Sequence, residues 1–142
     1  MEDQLVAHAS IKVNASLEQV WEALINPELI KEYMVGTDVV SEWEEGSEIR
    51  WKGEWQGKKY EDKGTILQLN PKHTSQYSHY SPLSGLEDKP ENYHTVTIRL
   101  LKESDGVLVS LSQDNNTTEE DRQHSEKNWQ MMLEGLKGLL DK

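Results

Sequence analysis

The sequence predicts an α+β fold: a curved antiparallel β-sheet wrapped around a long C-terminal α-helix, with two short helices after the first strand. Three observations carry this. A short alternating run, Leu5 to Asn14, precedes a stretch of helical periodicity from Ala15 to Met34. Strand-like segments separated by turns then run from Thr37 to Asp114. One amphipathic helix closes the sequence, its apolar face made by Trp129, Met132, Leu133, Leu136, Leu139 and Leu140.

Each element has its own signals. Ser16 fits a helix N-cap, and Gln19 three residues later completes a capping box. Leu17, Val20, Trp21, Leu24 and Ile25 then share one helical face. Asn26-Pro27 stops this helix and starts a second, because proline suits the first helical turn. Leu29, Ile30, Tyr33 and Met34 are its apolar side, and Gly36 ends it.

The spacing predicts strands over Thr37 to Trp43, Ser47 to Gln56, Lys59 to Leu69 and His73 to Ser81. Turns at Glu44-Glu45-Gly46, Gly57-Lys58 and Asn70-Pro71-Lys72 separate them. In the second of these strands Ile49, Trp51 and Trp55 fall on one face. In the fourth, Tyr77 and His79 share a face and Tyr80 lies on the other. A long loop, Pro82 to Asn92, follows. Tyr93 to Lys102 and Val107 to Asp114 form a hairpin around Ser104-Asp105-Gly106. The last helix opens at Thr117 or Thr118, with Glu119, Glu120 and Asp121 favourably placed in its first turn. Arg122 and Ser125 extend its inner face toward the N-terminus. Gly135 and Gly138 weaken it locally, so they admit a close neighbour or leave space. No repeat, low-complexity tract or linker divides the 142 residues, and one domain spanning 1–142 is expected.

Composition narrows the function classes. The net charge is −11 and no basic stripe is present, so phosphate backbones and anionic membranes are poor partners. No cysteine is present, which excludes a disulfide framework and thiolate chemistry. The acidic N-terminus has no apolar run of a signal peptide, and no apolar run reaches the length of a bilayer span. The expectation is a cytoplasmic protein with neither nucleic acid nor inserted membrane as partner. Apolar residues make up 35%, with no Phe but five Trp and five Tyr. Such aromatics combine bulk with a polar handle and suit the wall of a partly polar cavity.

Motifs of catalysis are missing. No His pair has metal-ligand spacing beside a carboxylate, and no GxSxG, GxGxxG or Walker pattern appears. No metal, cofactor or catalytic set is therefore expected. The residues that invite a binding role are of two kinds. Trp51, Trp55, Tyr77, Trp129 and Met132 are candidate apolar walls between sheet and C-terminal helix. His79, Tyr93, His94, Gln113 and Asn115 are candidate polar contacts. If the last two strands are antiparallel neighbours, Tyr93 and His94 lie near Gln113 and Asn115. Wide aromatics on a curved sheet rarely fill space, and an internal cavity of about 300 Å³ or more is the expectation.

The segment ASLEQVWEALINPELIKEYM, Ala15 to Met34, resembles the opening of the SRPBCC superfamily of START lipid-transfer domains, polyketide cyclases and the birch-pollen allergen. Trp51 and Gly53, Gly64 before Ile66 and Leu67, and Pro71 resemble one branch of it. That branch is similar to the C-terminal domain of the activator of the ninety-kilodalton heat-shock chaperone ATPase. The stretches SHYSPLSGLEDKPENYHTVTIRL and SQDNN…HSEKNWQMMLEGLKGLL are similar to a bacterial single-domain subgroup of that branch. The resemblance implies a helix-grip fold whose members commonly hold apolar or amphipathic small molecules. A small apolar or aromatic ligand is thus the expected partner. Two alternatives come with the resemblance: a co-chaperone-like protein that meets a heat-shock chaperone ATPase, and a small cyclase or dehydratase. For the enzyme reading, His79 or His94 is the general acid or base, since imidazole titrates near neutral pH.

Overall fold

The structure, a computed structural model, describes residues 5–34, 36–55, 57–81, 87–116 and 118–140; the side chain of Trp55 lies outside the described set. Strand β1 (Leu5–Val13) leads into helices α1 (Leu17–Ile25) and α2 (Pro27–Tyr33). Strands β2 (Asp38–Ser41), β3 (Glu48–Trp55), β4 (Lys58–Asn70) and β5 (Thr74–His79) follow. A short 3-10 turn, Pro90–Asn92, precedes the hairpin β6 (His94–Glu103) and β7 (Gly106–Asn116), and α3 (Glu119–Leu140) completes the fold. The order in the seven-stranded sheet is β1-β7-β6-β5-β4-β3-β2, with every pairing antiparallel. The sequence expectation of a sheet gripping its last helix holds.

Local chemistry accounts for the helix boundaries. Ser16 Oγ accepts from the Gln19 amide at 3.1 Å, while Gln19 Oε1 accepts from the Ser16 amide at 3.0 Å. This reciprocal pair satisfies two otherwise orphan donors of α1. Asn26 ends α1 and caps α2, its Oδ1 accepting from the Glu28 amide at 3.0 Å. Thr118 caps α3, its Oγ1 accepting from the Asp121 amide at 3.0 Å. Thr117 lies outside the described residues.

Alternation puts one side of each strand on the helix. The inner face carries Ala7, Ala9 and Val13 of β1, Val107, Val109 and Leu111 of β7, and Val96, Ile98 and Leu100 of β6, all buried. Leu133 and Leu136 of α3 press onto this aliphatic floor and are both 0% exposed. Gly135 lets α3 approach α2, since a Cβ there would stand 3.3 Å from the Tyr33 carbonyl oxygen. A Cβ at Gly138 would meet nothing within 4 Å, so this second glycine faces open space.

Two features hold the sheet to its curvature and protect its edge. At Gly64 in β4 a Cβ would fall 1.7 Å from the Ser78 carbonyl oxygen, so only glycine lets β5 come this close. A bulge follows between Ile66 and Gln68, which bends β4 toward β5. β1 is an edge strand, and its unpaired backbone is met by side chains of α3. Glu126 accepts from the His8 amide at 3.0 Å, Gln130 donates to the Ser10 carbonyl at 3.2 Å, and Lys137 donates to the Lys12 carbonyl at 3.1 Å. This edge therefore offers few free groups to another chain.

Candidate functional site

The aliphatic floor gives way to aromatics toward the N-terminal half of α3. There β3, β4 and β5 face α2 and α3 across a pocket of about 140 Å³. It is lined by Met34, Thr37, Trp51, Tyr60, Asp62, Tyr77, His79 and Trp129. A smaller space of about 30 Å³ adjoins it through Met34, Trp51 and Tyr77, and Met132 lies on its wall. Both volumes are below the ~300 Å³ expected from the aromatic content. The reason is visible in the packing: Trp51 meets Tyr77 with ring centroids 5.1 Å apart and meets His79 edge-on at 5.0 Å. The rings fill much of the space they enclose.

Register explains how these residues converge. Trp51 of β3 pairs with Asp62 of β4, and Gly53 pairs with Tyr60. Ile66 of β4 pairs with Tyr77 of β5, and His79 pairs with His94 of β6. A Cβ at Gly53 would stand 2.5 Å from the Tyr60 hydroxyl oxygen, so the missing side chain makes room for that phenol. Burial pushes the Tyr77 phenol well above its usual range, and it stays neutral.

The polar side of the pocket is a set of short hydrogen bonds. His79 Nε2 lies 3.0 Å from Asp62 Oδ2, and the two side chains are 23% and 16% exposed. The other carboxylate oxygen, Asp62 Oδ1, is buried with no hydrogen-bond partner among the described residues. Thr37 Oγ1 donates to the Met34 carbonyl at 2.9 Å and lies 2.8 Å from the Tyr60 hydroxyl. The Trp129 indole N–H donates to Gln113 Oε1. His94 Nδ1 donates to the Asp114 carbonyl at 2.8 Å, and its ring lies 6.4 Å from that of His79. Among the described residues no three His, Asp or Glu side chains gather as a metal site.

Of the residues singled out in the sequence, Trp51, Tyr77, His79 and Trp129 line the pocket, and Met132 lines the space beside it. Gln113 and His94 stand behind this wall, holding Trp129 and flanking His79. Trp55 falls on β3, with its side chain outside the described residues. Tyr93 and Asn115 do meet each other, as antiparallel pairing of the hairpin implies, but the pocket lining does not include them. The Tyr93 ring stacks on Tyr80 at 5.3 Å and its hydroxyl donates to Asp88 at 2.6 Å. Asn115, at a φ of 59°, gives its amide to the carbonyls of Glu91 and Tyr93 at 2.8 and 3.1 Å. Both brace the loop after β5. Of that loop, Pro82 to Leu86 lie outside the described residues.

Sequence reasoning missed Met34 as a lining residue, and Thr37, Tyr60 and Asp62 altogether. A signal for two of them existed: Tyr60, Asp62, Gly64 and Ile66 alternate on one face of β4, and Ile66 belongs to the core.

A seven-stranded antiparallel sheet closed over a long C-terminal helix, with two short helices after the first strand, defines a helix-grip protein of the SRPBCC type. The chain belongs to the family described as activator of Hsp90 ATPase homolog 1-like proteins, whose model matches residues 14–141. It is similar to ChR145 from Cytophaga hutchinsonii, solved in solution: 62% identity over 99% of this chain and 96% of that one, TM-score 0.86. The Aha1 dimer from Colwellia psychrerythraea shares the fold at 21% identity, over 96% of each chain, with a TM-score of 0.74. Ara h 8.0201 shares it at 11% identity, over 95% of this chain and 96% of that one, also with a TM-score of 0.74. No curated protein matches the chain in sequence. Among the described residues no helix is long and apolar enough to cross a membrane.

Proposed function

We propose that the protein is a small-molecule binding domain and that its ligand occupies the pocket between Trp51, Tyr77 and Trp129. One observation carries this reading. Beside those aromatic walls stands a partly open carboxylate, Asp62, one oxygen of which is buried without a partner among the described residues. A buried acceptor left unsatisfied costs about 1–3 kcal/mol, a cost a bound donor group would remove. The size of the pocket suits a single-ring compound, since cavities of about 150 Å³ take up benzene. Apolar walls with a few convergent polar groups are the usual makeup of such sites.

A thermal-shift panel of lipids, flavonoids and single-ring aromatics tests this. A ligand that binds only the folded state raises Tm in proportion to the logarithm of its concentration above Kd. The expected result is stabilisation by one compound class in the wild type, lost in Trp51→Ala. Stabilisation that persists in Trp51→Ala moves the ligand elsewhere.

The family favours a second reading, contact with a ninety-kilodalton heat-shock chaperone. A pulldown from bacterial lysate that enriches the chaperone homologue supports it, and failure to enrich it counts against it. In the third reading, a small cyclase or dehydratase, His79 is the better placed acid or base, because it lines the pocket and His94 does not. Unchanged turnover in His79→Ala removes that assignment.

A further inference from the structure

The hydrogen-bond inventory of the pocket is one-sided. Thr37 spends its single hydroxyl proton on the Met34 carbonyl, which can only accept. The 2.8 Å contact to Tyr60 must then run from the Tyr60 hydroxyl to Thr37 Oγ1. Tyr60 keeps only lone pairs for any third partner. His79 Nε2 lies 3.0 Å from Asp62 Oδ2, and in the tautomer that donates from Nε2 to this carboxylate oxygen the Nδ1 atom is an acceptor. The Trp129 N–H is committed to Gln113. Asp62 Oδ1 has no donor among the described residues. The Tyr77 hydroxyl, with no hydrogen bond among the described residues, can serve either way.

We infer that the ligand of this pocket is a hydrogen-bond donor, and specifically a small aryl- or alkylammonium. Its apolar part sits against Trp51, Tyr77 and Trp129, and its N–H groups satisfy Asp62 and the acceptor atoms of Tyr60 and His79. The inference rests on the pocket being a ligand site and adds the chemistry of what enters it. Ammonium groups bring donors and no acceptor, which complements the lone pairs of Asp62 and Tyr60. Aromatic faces attract a cation through the ring quadrupole. The net charge of −11 draws cations toward the protein and repels carboxylates. An anionic ligand would face the Asp62 carboxylate, while among the described residues the Trp129 N–H and the Thr37 hydroxyl are already committed to Gln113 and Met34.

Four matched probes test this by calorimetry at neutral pH: benzylammonium, benzyl alcohol, toluene and benzoate. The expected order of affinity is benzylammonium, then benzyl alcohol, then toluene, with benzoate weakest. Benzylammonium should bind roughly tenfold or more tighter than toluene, the size of a hydrogen bond to a charged group. Asp62→Asn keeps the side-chain volume and removes the charge, and it should abolish that preference while toluene binding persists. Benzoate binding as tightly as benzylammonium, or a preference unchanged in Asp62→Asn, overturns the ammonium assignment and leaves the pocket reading intact. Silence from all four probes overturns the ammonium assignment, and the pocket reading then falls if the lipid and flavonoid panel is silent as well.

Discussion

The two ends of the space under α3 are built from opposite materials. Toward the C-terminal half of the helix, Leu133 and Leu136 meet Val13, Val107 and Val109, and all five are shut off from solvent. Around Trp129 the same sheet presents rings, a carboxylate, an imidazole and hydroxyls around a pocket of about 140 Å³. The dry end is held by close contact, where every methylene counts. The polar end is held by directed hydrogen bonds: Tyr60 to Thr37, His79 to Asp62, and Trp129 to Gln113. On the proposed reading, stability and recognition are separated along one helix. The aliphatic floor seats the helix on the sheet, which leaves the aromatic end available for a ligand on that reading.

This division can be broken from either side. The largest effect is expected at the floor. Leu133→Ala should cost about 2–5 kcal/mol in denaturant unfolding, through lost burial and the cavity left behind. Ligand affinity of the folded fraction should be unchanged, because Leu133 does not reach the mouth. Trp129→Phe comes next. It keeps a ring but leaves the buried Gln113 Oε1 without its donor, at a cost of about 1–3 kcal/mol. Its effect on ligand affinity should exceed its effect on Tm. Equal effects would mean that mouth and floor are one cooperative core.

The smallest effect is expected outside both regions, at the brace after β5. Lys63, and after it the Tyr93 hydroxyl, hold the Asp88 carboxyl below its ordinary value of 3.8. A depressed carboxyl stabilises the fold above its unfolded pKa, and that contribution is lost as pH falls through the folded value. Asp88→Asn should therefore lower Tm slightly near neutral pH. The difference from wild type should shrink to nothing in acid, as thermal scans across that range would show.

How far the sequence foretold these regions follows the same division. The floor was legible because aliphatic alternation and helical spacing are periodic signals: Leu133 and Leu136 sit on the stripe that predicts α3. The aromatic half of the mouth was legible for the same reason, since Trp51 and Tyr77 occupy inward positions of alternating strands. The polar half was not. Asp62 stands among Glu61, Lys63 and other charged residues of an acidic chain, and although it alternates with Ile66, only the pairing of β4 with β3 sets it beside Trp51. Thr37 matters through a contact 23 positions away, which no local pattern announces. Tyr93 and Asn115 carried the composition of a rim, but alternation from Tyr77 and His79 sends Tyr80, and the Tyr93 stacked on it, away from the mouth.

The central claim is that the aromatic mouth, and not the floor, receives a ligand. The indole N–H signals of the labelled protein test it directly, because Trp51 and Trp129 line the mouth while Trp21 of α1 lies outside its lining. Titration with single-ring ammonium compounds should shift the Trp51 and Trp129 signals in a saturable manner and leave Trp21 in place. Shifts at Trp21 alone, or no saturable shift at Trp51 and Trp129 with any compound, would contradict the account.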